Sequence, residues 1–185
     1  MNIKIILAEH EVFETERLIL RKVELADAED MFEYGQDEET TEYVFPRKKS
    51  LEDTKEGIVD YFIPKRLETW AIVEKTSGKM LGTIDLRVQN DQGDFGWVLN
   101  RKFWGRGYAP EAAACLRDFA FNELKLSVLT ATCDSENSRS SHVMKKLGMK
   151  KLGQTWIYRE KLGRSTPHDY CALTREEFLD DKAHD

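Results

Sequence analysis

Cysteine is scarce in this chain: there are three in 185 residues, Cys115, Cys133 and Cys171. No two of them form a Cys-x-x-Cys pair, which argues against a disulfide scaffold and a structural zinc site and suits a reducing cytoplasm. Long apolar runs are also missing. In the opening "MNIKIILAEH" the stretch from Ile3 to Leu7 is too short for a signal-peptide core or a membrane span. Residues 1–12 therefore read as an extra edge strand or a loose leader. There is no excess of positive charge. Lys and Arg number 28 against 34 Asp and Glu, a net charge of −6, which is the wrong sign for a broad nucleic-acid-binding face. The four histidines, His10, His142, His168 and His184, show no pairing at helical spacing. In "HEVFE", Glu14 stands where a zinc-protease helix would place its second histidine. No metal site is expected, and the histidines read as solvated or locally bonded.

What remains is a composition of 41% hydrophobic and 34% charged residues, ordinary for one globular domain spanning 1–185, with 181–185 as a tail. Strand and helix signals alternate, without internal repeats. "RLILRKV" (Arg17 to Val23) reads as a strand with Leu18 and Leu20 on one face. "LADAEDMFEYGQ" reads as a helix with an acidic first turn, and "SLEDTKEGIVDYFIPKR" as a second, capped by Ser50 and ended by Pro64. "TWAIVEK", "KMLGTIDLRVQ" and "GDFGWVLN" follow as three strands of an antiparallel meander. "APEAAACLRDFAFNEL" is a helix: Pro110 suits its first turn, and Ala112, Leu116, Phe119 and Ala120 form an apolar face. "SVLTATCD" reads as a strand, "SRSSHVMKKLG" as a helix stopped by Gly148, and "WIYRE" and "HDYCALT" as late strands. The class is mixed α/β.

Between the meander and the alanine-rich helix lies "RKFWGRGYAPEA", Arg101 to Ala112. A strand, a glycine turn and a helix N-terminus gather backbone N–H groups and the positive end of a helix dipole, the physical recipe for a phosphate site. A dinucleotide fingerprint fails because Pro110 replaces its third glycine, and a P-loop fails because Tyr108-Ala109 replace Lys-Ser or Lys-Thr. A tight turn that binds nothing stays open on these residues alone.

The stretch "GDFGWVLNRKFWGRGYAPEAAACLRDFAFNELKLSVLTATCDSENSRSSHVMKKLGM" resembles the coenzyme-A-binding core of the GNAT superfamily of N-acetyltransferases, specifically its RimJ/RimL-type branch, which acetylates protein N-termini. "FETERLILRKVELADAEDMF" resembles that branch's first strand and helix, and the likeness covers roughly residues 13 to 178. It implies the GNAT fold, a mixed, mostly antiparallel sheet splayed at the acetyl-CoA site and flanked by helices. Gly105, Arg106, Gly107, Tyr108 and Ala109 match the loop whose amides hold the coenzyme's diphosphate. Trp104 stands where the superfamily usually has Gln or Arg. Trp97, Val98 and Leu99 match the splayed strand that bonds the pantetheine and the acetyl carbonyl. Asn137 matches the residue that bonds the pantetheine arm, and Ser140 the one near the thiol. Met144 takes the place of a common tyrosine acid, which makes Ser140 the expected acid for the leaving thiolate. Glu160 matches, within one residue, the branch's glutamate base, with Asp85 and Asp94 as rivals.

The resemblance thus implies acetyl transfer from acetyl-CoA to a primary amine, with a protein or peptide N-terminus as the expected acceptor. Acetylation of a small amine, such as a polyamine or antibiotic, and a non-catalytic acyl-CoA sensor are the alternatives. Acetyl-CoA is the expected co-substrate, with no nucleic-acid or membrane partner, and the chain is expected to be a cytoplasmic monomer or homodimer.

Overall fold

The structure, a computed structural model, describes residues 2–184. Residue 185 and the His184 side chain lie outside that description. The element order is α1 (Ile3–Glu9), β1 (Phe13–Glu14), β2 (Leu18–Arg21), a 3₁₀ turn, α2 (Ala28–Gly35), α3 (Glu38–Thr41), α4 (Leu51–Gly57), β3 (Thr69–Glu74), β4 (Met80–Gln89) and β5 (Gln92–Leu99). It continues with α5 (Tyr108–Asn122), β6 (Val128–Asp134), α6 (Ser138–Lys146), β7 (Lys150–Arg159), β8 (Arg164–Thr174) and α7 (Arg175–His184). The strands form one eight-stranded sheet in the order β1-β2-β3-β4-β5-β6-β8-β7, antiparallel except for the β5–β6 pair.

Two cores cover the two faces of the sheet. Leu18 and Leu20 are fully buried on the face that receives α5. Ala112, Leu116, Phe119 and Ala120 are all buried there too, as the spacing of that helix requires. Val23, Met31, Tyr34, Ala71, Val73 and Val98 form the second core, under α2 and α4. Caps set the helix starts. The Ser50 hydroxyl accepts the Asp53 N–H at 3.1 Å to open α4. A π-helical turn, Ile58–Phe62, then extends that helix.

The N-terminal segment departs from the expected strand or leader. Asn2 accepts the Lys4 N–H, helix α1 follows, and Leu7 is buried in the α5-side core. Ile3, Ile6 and Leu7 share one helical face, so burying that face outweighs strand propensity here. Of the expected tail, residues 181–184 belong to α7. No helix among the described residues is long and apolar enough to cross a membrane.

Candidate active site

The β5–β6 pairing ends early. Four residues, Gln92 to Phe95, pair with Val128 to Ala131, and beyond them the strands part. On its other edge β5 stays paired with β4 as far as Leu99. The Asn100 N–H donates to the Leu81 carbonyl, so by alternation the amides of Val98 and Gly96 turn toward β4 while those of Leu99 and Trp97 face the gap. Of the three strand residues expected to meet the co-substrate, Trp97 and Leu99 offer backbone to the gap. Val98 presents its side chain instead, and the Trp97 indole packs against the α5-side core.

Below the gap, Gly105 (φ 74°) and Gly107 (φ 81°) hold the left-handed conformation, and Gly107 is the N-cap of the 15-residue α5. A side chain at 107 would be strained, and its Cβ would stand 3.4 Å from the Arg17 guanidinium. That guanidinium clasps the loop from the bend just before β2. It pairs with Glu111 at 2.6 Å and donates to the Arg106 carbonyl at 2.8 Å. Tyr108 is buried, its hydroxyl bonded to Glu74, and Ala109 is buried behind the loop. The Arg106 side chain lies outside on the Phe103 ring. Trp104 takes a part the sequence did not signal. Its indole N–H donates to the Leu99 carbonyl at 2.7 Å, and the Arg139 guanidinium lies 4.0 Å from its ring centroid. A cavity of about 410 Å³ runs from this loop past Trp104 to Asn137 and Ser140, with Arg139, His142 and Lys146 along its α6 side. Bare left-handed glycines, a helix N-terminus and a basic wall fit a diphosphate-bearing nucleotide.

A second cavity, of about 530 Å³, lies on the opposite side of the splay, between the sheet and α2, α4 and the segment joining them. Both cavities share Tyr43, Val44, Trp97, Val98, Asn137 and Ser140. Asn137 caps α6 by accepting the Ser140 N–H at 3.2 Å, which places the half-buried Ser140 where the two cavities meet. Met144, one turn on, is buried in the core.

A matching family model decides the relationship. It describes an acetyltransferase (GNAT) domain and covers residues 17–150, more than two thirds of the chain. The chain belongs to the GNAT acetyltransferase family. It is 30% identical over 175 residues to the N-acetyltransferase p20 of Bacillus licheniformis, spanning 91% of this chain and 98% of that one. A solved GNAT-family acetyltransferase from Bacillus anthracis is 29% identical and superposes with a TM-score of 0.81, covering 90% of this chain and 99% of its own. Acetyl-CoA is accordingly the co-substrate of this acetyltransferase.

The second cavity of the acetyltransferase receives aromatic side chains from Tyr34, Tyr43, Phe45, Tyr61 and Phe62, with two carboxylates on the sheet face. Asp85 accepts from the Tyr61 hydroxyl at 2.9 Å and from Arg87 at 3.0 Å. Burial pushes its pKa up, and Tyr61, Arg87 and Lys65 only partly oppose that. Arg87 also binds Asp94 at 2.6 Å, so the expected rival base Asp94 is already engaged by a cation and by the Thr130 hydroxyl. Asp134 is paired with Arg159 at 2.8 Å. Burial pushes its pKa up, but the Glu136 N–H, Arg159 and Thr166 outweigh that and hold it below the usual carboxylate range.

The structure does not bring Glu160 to either cavity. Strand β7 ends at Arg159, and Glu160 opens an exposed 3₁₀ turn at the tip of the β7–β8 hairpin, closed by Gly163 at φ 61°. The paired Arg159 immediately precedes this turn, and a match within one residue is too coarse to place a side chain there.

Proposed function

We propose that this acetyltransferase acts on the α-amino group of a protein or peptide, in the manner of the RimJ/RimL-type branch, and works in the cytoplasm, where three free cysteines are at home. The carrying observation is the charge of the acceptor cavity. Asp85 and Asp94 share one guanidinium, and Asp134 and the cavity residue Lys48 each have a partner of opposite charge. Lys65 acts on Asp85 as well, so the charges nearly cancel and the cavity offers Asp85 as one carboxylate for one ammonium, without the cluster of acids that a polyamine or aminoglycoside calls for. The aromatic lining suits a neutral body behind that ammonium, such as the first residues of a peptide.

An α-amino group also loses its proton at about pH 7.7–8.0, more than two units below a lysine side chain, so it is the easier amine to deliver neutral. The reaction then needs little beyond placement. The co-substrate lies along the gap, held by the loop amides of residues 105–109, the free backbone of Trp97, the Leu99 amide, and Asn137. The amine enters from the acceptor side, and Ser140 stands where a departing thiolate can take a proton.

Mass-spectrometric assay of acetyl transfer to unblocked peptides, spermidine and an aromatic monoamine tests this. Peptide kcat/KM exceeding that for spermidine by about tenfold or more, the effect of one further ammonium without a carboxylate to meet it, is expected. Spermidine turned over as well as peptide refutes the acceptor class, and binding of acetyl-CoA without any turnover marks a sensor.

A further inference from the structure

His168 read as a solvated or locally bonded histidine in the sequence; its surroundings are more specific. It lies on β8 directly opposite Asp134 of β6, on the acceptor-side face of the sheet, and it lines the acceptor cavity with Asp134 and Ser140. Thr166, two residues earlier on the same face, sits between the two side chains. Its hydroxyl lies 3.0 Å from Asp134 Oδ2 and 3.2 Å from His168 Nε2. All three residues are less than a tenth exposed.

The hydrogen count in this chain of contacts has one solution. The Asp134 carboxylate can only accept, so the Thr166 hydroxyl donates its hydrogen to it. The Thr166 oxygen is then left to accept, and His168 Nε2 must carry the hydrogen it accepts. Neutral His168 is thereby held as the Nε2–H tautomer, with its lone pair on Nδ1. Nδ1 has no partner among the described residues. Among the described residues only the Trp70 indole nitrogen is sealed from solvent without one, so Nδ1 keeps contact with solvent, and His168 lines the acceptor cavity. Asp134 is itself fixed by Arg159.

We propose that His168 accepts the proton of the incoming amine at Nδ1, with Thr166 and Asp134 as positioning residues that hold the ring in its Nε2–H form. This rests on the acetyl-transfer reading above. The ammonium of the acceptor gives one proton to Nδ1, directly or through one water, and the freed nitrogen lone pair forms the C–N bond. The C–S bond breaks, and the second proton on nitrogen passes to sulfur through the Ser140 hydroxyl. His168 then returns its proton to solvent, so acetyl-CoA and an ammonium yield an amide, a free thiol and one released proton. Burial lowers the His168 pKa below its ordinary value, which keeps Nδ1 unprotonated at neutral pH. The charged groups acting on the ring are Asp134 on β6, Arg159 on β7 and, from the opposite face of its own strand, Asp169; Arg159 adds to the effect of burial, and Asp134 and Asp169 only partly oppose it.

The test uses the full chain and whichever amine the wild type turns over, so a wrong acceptor class does not spoil it. Imidazole ¹⁵N NMR should report His168 as the Nε2–H tautomer, a reading that needs no acceptor at all. His168→Gln keeps a donor toward Thr166 and removes the base. Its kcat/KM should fall about 10²-fold or more, with unchanged acetyl-CoA affinity and without the acid limb set by the imidazole. Should that variant not fold, Thr166→Ser and Thr166→Val decide. Serine keeps the relay and near-wild-type kcat/KM, whereas valine loses about tenfold or more because the ring is free to take the wrong tautomer. An Nδ1–H tautomer overturns the proposal, as does wild-type kcat/KM in His168→Gln or equal rates in the two Thr166 variants. A wild type that acetylates no amine overturns the functional reading itself.

Discussion

Placing Gln or Glu at Gly107 separates an anion site from a mere tight turn. Both side chains inherit the same backbone problem, since φ is 81° there, at a cost of about 1–2 kcal/mol for an L residue. That strain is present with or without ligand, so in both variants it should appear as a Tm about 2–8 °C lower for a chain of this size. Only the charge differs. A carboxylate about 5 Å from a bound diphosphate, at an effective dielectric constant between about 20 and 60, opposes binding by about 1–3 kcal/mol, or roughly 5- to 150-fold in Kd. Isothermal titration with acetyl-CoA at low ionic strength should therefore show Gly107→Glu binding more weakly than Gly107→Gln by that factor. The gap should close toward 1 M salt, where the screening length shrinks to about 3 Å. Equal affinities for the two variants at low salt would refute the loop assignment, whatever their Tm values.

Ser140→Ala should lower kcat by about tenfold or more with little change in acetyl-CoA KM, measured where chemistry limits turnover, because the hydroxyl acts as charge develops on sulfur. Glu160→Gln should leave kcat/KM within about twofold, since surface changes away from a site are usually near neutral; steady-state kinetics at pH 7 checks this. Asp85→Asn should raise the acceptor KM by about fivefold or more through loss of the carboxylate that meets the ammonium. The same change should raise Tm at neutral pH. A carboxylate whose folded pKa lies above its unfolded value favours the folded state at low pH and loses that contribution as pH rises through the folded pKa, so the stability difference between Asn and Asp should vanish on acidification. Thermal melts across pH 4–8 measure it. Arg17→Ala should weaken acetyl-CoA binding about threefold to tenfold by freeing Glu111 and the Arg106 carbonyl, read by the same titration.

Local signals carried most of the architecture. Ser50 before an acidic turn, Leu18 and Leu20 at a period of two, and Gly107 ahead of Pro110 each act within a few residues, and the elements form where those signals stand. The family likeness brought Gly105, Gly107, Asn137 and Ser140 to one seam. Three features lay outside that reach. Helix α1 owes its form to burying Leu7 against α5, more than a hundred residues away. The Trp104 bond to the Leu99 carbonyl depends on a turn whose course no residue type announces. His168 meets Asp134 across 34 residues through strand pairing, so a search for histidines at helical spacing could not find it.

The early parting of β5 and β6 leaves the sheet as two plates, five strands and three, hinged along four paired residues. Backbone that a continuous sheet would satisfy internally is left to solvent or, in the proposed placement, to the extended arm of a coenzyme acting as a removable ninth strand. The folding free energy is then tied to metabolite supply. At a ligand concentration of 100 Kd the folded state gains about 2.7 kcal/mol, or about 5–11 °C in Tm for a chain of this length. Amide hydrogens of Trp97 and Leu99 should exchange quickly in the free protein and become protected when the coenzyme is added, while those of Gly96 and Val98, already pledged to β4, should hardly change. Cells short of acetyl-CoA would hold this enzyme in its more fragile, breathing form, and thus also in the form a protease attacks first.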